Sequence, residues 1–238
     1  MKTRFGVLGL GALISLGGLA SAQQTVFNVP SADVLEPGKV YLETDQYLQR
    51  WKSGVDDAGF ALVRGVYGLS RDVEVGLNAG PFDYEHSSVA FLDAAVKWKA
   101  WHEDFGPSEA DGSCGVLLGN TAGVSVHGDP AHDVRDYAYG AAFAVLGGSG
   151  TRVSAGPYYA TQEYFSAEAR FGAQLTLEQP IREINGLTAA ADWISGDGGS
   201  LTAGFVWSRN PWALYAGYGF ANSGRDADLL TLEVGVGL

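Results

Sequence analysis

Hydrophobic and polar residues alternate with period two along most of this chain. In the C-terminal decapeptide, Leu230, Leu232, Val234, Val236 and Leu238 share one face of an extended backbone, and Thr231, Glu233, Gly235 and Gly237 share the other. The stretch 167–178 alternates more sharply still. Glu168, Arg170, Gly172, Gln174, Thr176 and Glu178 oppose Ala169, Phe171, Ala173, Leu175 and Leu177. Successive side chains of a β-strand point to opposite sides, so this spacing predicts strands with one apolar and one polar face. Read in order, the pattern predicts about twelve strands, near 39–48, 60–69, 73–79, 88–101, 113–127, 134–146, 151–161, 167–178, 186–194, 201–208, 212–221 and 229–238. Turn-forming residues separate them, as at Ser70-Arg71-Asp72, Gly147-Gly148-Ser149-Gly150 and Arg209-Asn210-Pro211. Some positions break the pattern. Arg64 shares a face with Leu62 and Val66, and Asn120 falls on an apolar face. Pro157 lies inside a strand, where its missing N–H implies a bulge or an interrupted ladder.

These features predict an all-β fold, a single antiparallel transmembrane barrel. An even strand count brings both ends to one side. The short turns then fall on that side, and the connections near 49–59, 81–87, 128–133 and 222–228 fall opposite and are longer on average. The segment His102–Gly112 is long on the short-turn side and is an exception. The apolar face is expected to look outward into lipid. The other face is rich in glycine and charge, which suits the outside of a soluble barrel poorly. Trp98, Trp193, Trp207, Trp212 and Tyr218 fall near strand ends, as interfacial aromatic belts do. The alternative is an exported soluble β-sandwich or lectin-like barrel.

The C-terminal strand resembles the terminal strand of bacterial outer-membrane β-barrels, although that family most often ends in an aromatic residue and this chain ends in Leu238. Tyr67-Gly-Leu-Ser-Arg-Asp-Val-Glu-Val-Gly76 and Asp192-Trp-Ile-Ser-Gly-Asp197 resemble stretches of small, porin-like members. The resemblance is one of pattern across the chain after the first 22 residues. It implies an outer-membrane location, a lipid bilayer as surroundings and the barrel-assembly machinery as the route of insertion, and it does not imply a substrate; small solutes or ions are the partners expected of a channel.

Composition narrows this further. Lys2 and Arg4 precede an apolar stretch from Phe5 to Leu16, and Ala20-Ser21-Ala22 is a small-residue cleavage site. Residues 1–22 are therefore expected to be a cleaved signal peptide, 23–38 an extended lead-in and 39–238 the barrel. The formal net charge is −12, which opposes a nucleic-acid partner. Charged residues make up 18%, against about 25% in typical soluble domains. Cys114, the one cysteine, rules out an intramolecular disulfide and a cysteine-rich zinc site. After residue 22 no apolar run approaches the ~18 residues of a membrane helix.

The candidate chemistry lies on the inward face. Parity places there the acids Glu43, Asp45, Glu74, Asp93, Glu168, Glu178, Asp192 and Glu233, and the bases Arg64, Lys97, Lys99, Arg152 and Arg170. Lining a water column, this acidic excess makes a passive, weakly cation-preferring diffusion channel. Cross-paired, with Tyr41, Tyr47 and Tyr158 filling the bore, the same residues make a closed structural or adhesive barrel. Some outer-membrane barrels are lipid hydrolases, with His and Ser two positions apart on a lipid-facing strand face. Ser125 and His127 have that spacing in reverse order, but parity turns them away from lipid and no third member is evident. Asp129, His132 and Asp133 are read as solvated loop polarity. The expectation is a protein that is not an enzyme and has no cofactor and no metal site.

Overall fold

A computed structural model of the chain describes residues 25–50, 58–83, 89–106, 111–126, 134–161, 164, 171–223 and 228–238. The segment expected to be a signal peptide lies outside the described residues, as do Glu168, Ala169, Arg170, His127, Asp129, His132 and Asp133.

The described strands are β1 (Val40–Arg50), β2 (Ala58–Gly68), β3 (Val73–Asp83), β4 (Val89–Asp104), β5 (Gly112–Ser125), β6 (Val134–Leu146), β7 (Thr151–Ala160), β8 (Phe171–Pro180), β9 (Leu187–Ile194), β10 (Ser200–Arg209), β11 (Trp212–Ala221) and β12 (Asp228–Gly237). Each pairs antiparallel with its sequence neighbours, and β1 pairs with β12, with Tyr41 opposite Gly237 and Thr44 opposite Val234. The ring is closed and leaves no edge, which is what a sheet crossing a bilayer requires. The long connection expected after His102 is shorter than the sequence suggested, because β4 continues to Asp104 and β5 begins at Gly112. Pro157 interrupts the ladder without shifting it. The pairs Tyr139–Tyr158 and Ala142–Ala155 keep one register across a gap at Gly156 and Pro157.

Alternation sorts the side chains as the pattern predicts. In β8, Phe171, Ala173, Leu175 and Leu177 are exposed outward, while Gln174, Thr176 and Glu178 are buried inward. Leu77, Leu92, Leu118, Phe205, Leu214 and Leu232 extend the exposed apolar surface around the ring. Asn120 is outward, and its side-chain amide donates to Asp136 at 2.6 Å, so the polar exception is answered by a polar neighbour.

The inward glycines have a packing role. Tyr139 lies opposite Gly119 and Tyr158 opposite Gly172, and a Cβ at either glycine would enter the tyrosine ring. Bulky aromatic side chains thus lie flat along the wall over backbone that has no side chain. This brings wide rings into the bore while keeping the strands at normal spacing.

Residues 25–38 of the segment expected to be an extended lead-in are instead folded into the barrel. Thr25 to Pro30 forms a tight turn closed by the Val26 N–H donating to the Val29 carbonyl at 2.8 Å. Val26, Phe27, Val29 and Ser31 are completely buried. Gly38, at φ 80°, turns the chain out of the bore into β1, and its N–H donates to the Gly68 carbonyl at 2.8 Å. The physical reason is apolar matching. Val26 and Phe27 pack on Ala190, Val206, Ala213 and Tyr215. Val29 packs among Tyr137, Tyr139, Tyr158 and Ile194. Leu35 meets Tyr41 and Val66, and Ala32 meets Leu117 and Phe143. A twelve-stranded ring is wider than wall side chains fill on their own, and this segment takes the remaining space.

Candidate functional site: the bore and its internal segment

The bore is built from two layers of polar contact. The first runs between wall strands. Arg64 on β2 lies 2.7 Å from Asp45 and 3.8 Å from Glu43, both on β1. Glu74 on β3 and Lys97 on β4 are direct cross-strand partners, 2.9 Å apart. Arg135 on β6 stands 3.4 Å from Asp93 on β4 and spreads its guanidinium over the Phe91 ring at 4.0 Å. Gly123 makes room there, since a Cβ on it would collide with Asp93.

The second layer ties the wall to the internal segment. Asp192 on β9 accepts the backbone N–H groups of Phe27 at 2.9 Å, Asn28 at 2.5 Å and Val29 at 2.9 Å, all on Oδ2. The Asn28 side chain then donates to Thr202 at 2.8 Å. A tight turn points successive N–H groups into one concavity, and a carboxylate fits that concavity as an anion. Further along, Glu74 accepts the Leu35 N–H at 2.7 Å. Lys97 donates to the Ser31 carbonyl and hydroxyl at 3.4 and 3.3 Å. Arg64 donates to the Thr25 hydroxyl at 3.1 Å, and Arg152 pairs with Asp33 at 2.5 Å. The segment is therefore held by charge on several sides of the ring as well as by apolar contact.

Of the residues that alternation turns inward, Glu43, Asp45, Glu74, Asp93, Lys97, Glu178, Asp192 and Glu233 are buried inside the barrel. Arg64 is nearly so, and Arg152 is about one-third exposed in its pair with Asp33. Lys99 is partly buried, with its ammonium 5.7 Å from the Phe143 ring centre. Glu168 and Arg170 lie outside the described residues. Of these, Arg64, Glu74, Lys97, Arg152 and Asp192 contact the folded segment, whereas Glu43, Asp45 and Glu233 meet one another where β1 pairs with β12. A cavity of about 80 Å³ persists beside the segment, lined by Arg64, Glu74, Asp93, Lys97, Tyr137, Tyr139 and Tyr164 among others. Such a space suits a few waters.

Several contributors had not been singled out. Arg135 shares parity with Tyr137 and Tyr139, which was a usable signal. Asn28, Ser31 and Asp33 lie in a stretch with no strand pattern and gave none. Tyr137, Tyr139 and Tyr215 alternate inward with small residues between them, and the Tyr139 ring lies over Gly119. Ser125 is partly buried on its strand, and its spaced partner His127 is not among the described residues.

No family model matches the sequence, and no curated protein matches it by sequence. The fold is that of solved bacterial outer-membrane β-barrels. An outer membrane channel from Pseudomonas putida F1 is similar with a TM-score of 0.52 at 15% identity, over 89% of this chain and all 100% of that one. Outer membrane phospholipase A from Escherichia coli is similar with a TM-score of 0.48 at 13% identity, over 86% of this chain and 94% of that chain. The translocator domain of an autotransporter from Neisseria meningitidis gives 0.39 at 16% identity, over 84% and 87%. The likeness is one of architecture: a closed antiparallel barrel with an apolar exterior, as small bacterial outer-membrane barrels have.

Proposed function

We propose that this protein is an outer-membrane channel held shut by its own N-terminal segment, passing small solutes with a weak cation preference when the segment moves, and performing no catalytic step. The exported chain would reach the outer membrane through the N-terminal signal sequence and insert there as a barrel. The observation that carries the channel reading is the set of Asp192 contacts. Three successive backbone N–H groups of the segment converge on one wall carboxylate, and the wall is polar, with Thr202, Ser154, Thr176 and Thr231 buried inward. A wall of hydroxyls and carboxylates remains wettable when the segment leaves. Among the described residues the buried bore acids outnumber the buried bases, which supports the cation preference.

A second reading, a permanently closed structural barrel, is favoured by the complete burial of Val26, Phe27 and Val29. Planar-bilayer recordings separate the two. The full-length protein should conduct in rare, brief events, and a variant lacking residues 25–37 should conduct steadily. Heat-dependent migration on gels would verify that both are folded barrels. A deletion variant that is folded yet silent would overturn the channel reading and leave the structural one.

A further inference from the structure

Glu43 and Asp45 on β1 and Glu233 on β12 meet at the seam where the ring closes. Asp45 and Glu233 are direct cross-strand partners, and Glu43 is one inward step along β1. One oxygen from each of the three carboxylates lies within 4.8 Å of the others, and all three residues are buried. Glu233 is 1% exposed, and neither of its oxygens has a hydrogen-bond partner. Glu43 Oε1 and both oxygens of Asp45 are in the same condition. Arg64 stands 2.7 Å from Asp45 as a charge without an aligned hydrogen bond, and Tyr41 donates to the other oxygen of Glu43 at 2.9 Å.

We propose that Glu43, Asp45 and Glu233 form a divalent-cation site, selective for Ca²⁺ over Mg²⁺, that staples the first strand of the barrel to the last. Charge balance is the first reason. When ionised, three carboxylates beside one guanidinium would leave two negative charges inside the wall, and buried charge is costly without a counter-charge. A divalent ion cancels that remainder. Chemistry is the second reason. The oxygens without partners are hard, anionic donors with free lone pairs, the ligand type that Ca²⁺ and Mg²⁺ take. Spacing is the third. Ca²⁺ binds oxygen at about 2.3–2.6 Å, so ligands on opposite sides of it lie up to roughly 5 Å apart. Mg²⁺, at about 2.0–2.1 Å, draws opposite ligands to about 4 Å and holds them to octahedral geometry. Separations within 4.8 Å lie inside the reach of Ca²⁺, and an enclosed all-protein site disfavours Mg²⁺, which dehydrates reluctantly and usually keeps several waters. Alternation placed each of these residues inward but gave no reason to group them, because they come from opposite ends of the sequence.

The site is tested separately from solute passage. The full-length protein is refolded from urea into detergent with Ca²⁺ or Mg²⁺ present, freed of unbound ion by gel filtration, and analysed for metal by mass spectrometry. Folding is scored by heat-dependent gel migration. Wild type should retain one Ca²⁺ per chain and little Mg²⁺. Glu233→Gln and Glu43→Gln should lose the ion, and Glu178→Gln, a buried carboxylate on β8, should keep it. Should Glu233→Gln fail to fold, Glu43→Gln decides the ligand assignment. Folded wild type without bound Ca²⁺ would mean that protons neutralise the cluster, and the proposal would fall. Equal retention by a folded Glu233→Gln or Glu43→Gln variant would place the ion elsewhere and also overturn it.

Discussion

Asn28 and Asp192 are 164 residues apart in sequence, and the Asn28 N–H meets the Asp192 carboxylate at 2.5 Å across the bore. Phe27 and Val29 donate to the same oxygen. Hydrogen bonds to a charged, buried acceptor contribute about 1.5–3 kcal/mol each, and a donor left buried without a partner adds its own cost. Asp192→Ala is therefore expected to loosen the segment by about 3 kcal/mol or more, enough to raise the displaced population roughly a hundredfold. The check is opening frequency in bilayer recordings. Asp33→Asn is the comparison, because its pair with Arg152 is about one-third exposed on both sides and such pairs contribute only about 0–1 kcal/mol. Its opening frequency should stay within about fivefold of wild type. Equal effects from the two variants would show that Asp192 is not the latch.

The ring was legible in the sequence because period two is a local signal. Strand positions, the outward band of β8 and the meeting of Tyr41 with the C-terminal strand all follow from alternation and an even count. The internal segment was illegible for a related reason. Residues 25–38 have no periodicity, and their partners lie on strands from β1 to β11. The trace they leave is indirect. Val66, Leu117, Ile194 and Val206 are apolar residues on inward faces, and each packs in a cluster that includes a residue of the segment. The poor patterning of β2, with Arg64 between Leu62 and Val66, has the same origin. Arg64 serves Asp45 and Thr25 while Val66 serves Leu35. Positions that spoil a barrel's alternation can thus point to what fills it.

Gly119 and Tyr139 give a test of how the wall accommodates its aromatics. They are cross-strand partners on β5 and β6, and a Cβ at position 119 would overlap the tyrosine ring. Gly119→Val should force the ring into the segment and destabilise the barrel by roughly 1–3 kcal/mol, as overpacking does. In the double variant Gly119→Val, Tyr139→Ala the clash is gone, so the loss should be less than the sum of the single losses. Urea unfolding in vesicles measures all three. Strict additivity would mean that the ring does not lie over the glycine.

Leu175 tests the outward assignment. It sits near the middle of β8, exposed between Gln174 and Thr176, which are buried. If that face meets hydrocarbon, Leu175→Arg should cost about 2–4 kcal/mol, the penalty for arginine near a bilayer midplane. In a soluble barrel the same change would fall within about 0.5 kcal/mol, since surface substitutions usually do. Folding free energies measured in lipid vesicles separate the two outcomes, and a near-zero cost would remove the membrane reading.

The last prediction concerns which carboxylate sets ion preference once the segment is gone. Asp192 and Asp45 are both fully enclosed acids of the bore, but they are neutralised differently. Asp45 has Arg64 at 2.7 Å within the wall, and that pair survives removal of residues 25–37. Asp192 is held by donors from Phe27, Asn28 and Val29, all of which leave with the segment. Its charge then faces the water column uncompensated, attracts cations and repels anions. In the segment-deleted barrel, Asp192→Asn should shift the reversal potential under a salt gradient toward anions, and Asp45→Asn should shift it less. The Asp192 effect should shrink as salt rises, because screening acts over about 10 Å at 0.1 M and about 3 Å at 1 M. A larger shift from Asp45→Asn would mean that ions pass along the β1–β2 wall and away from Asp192.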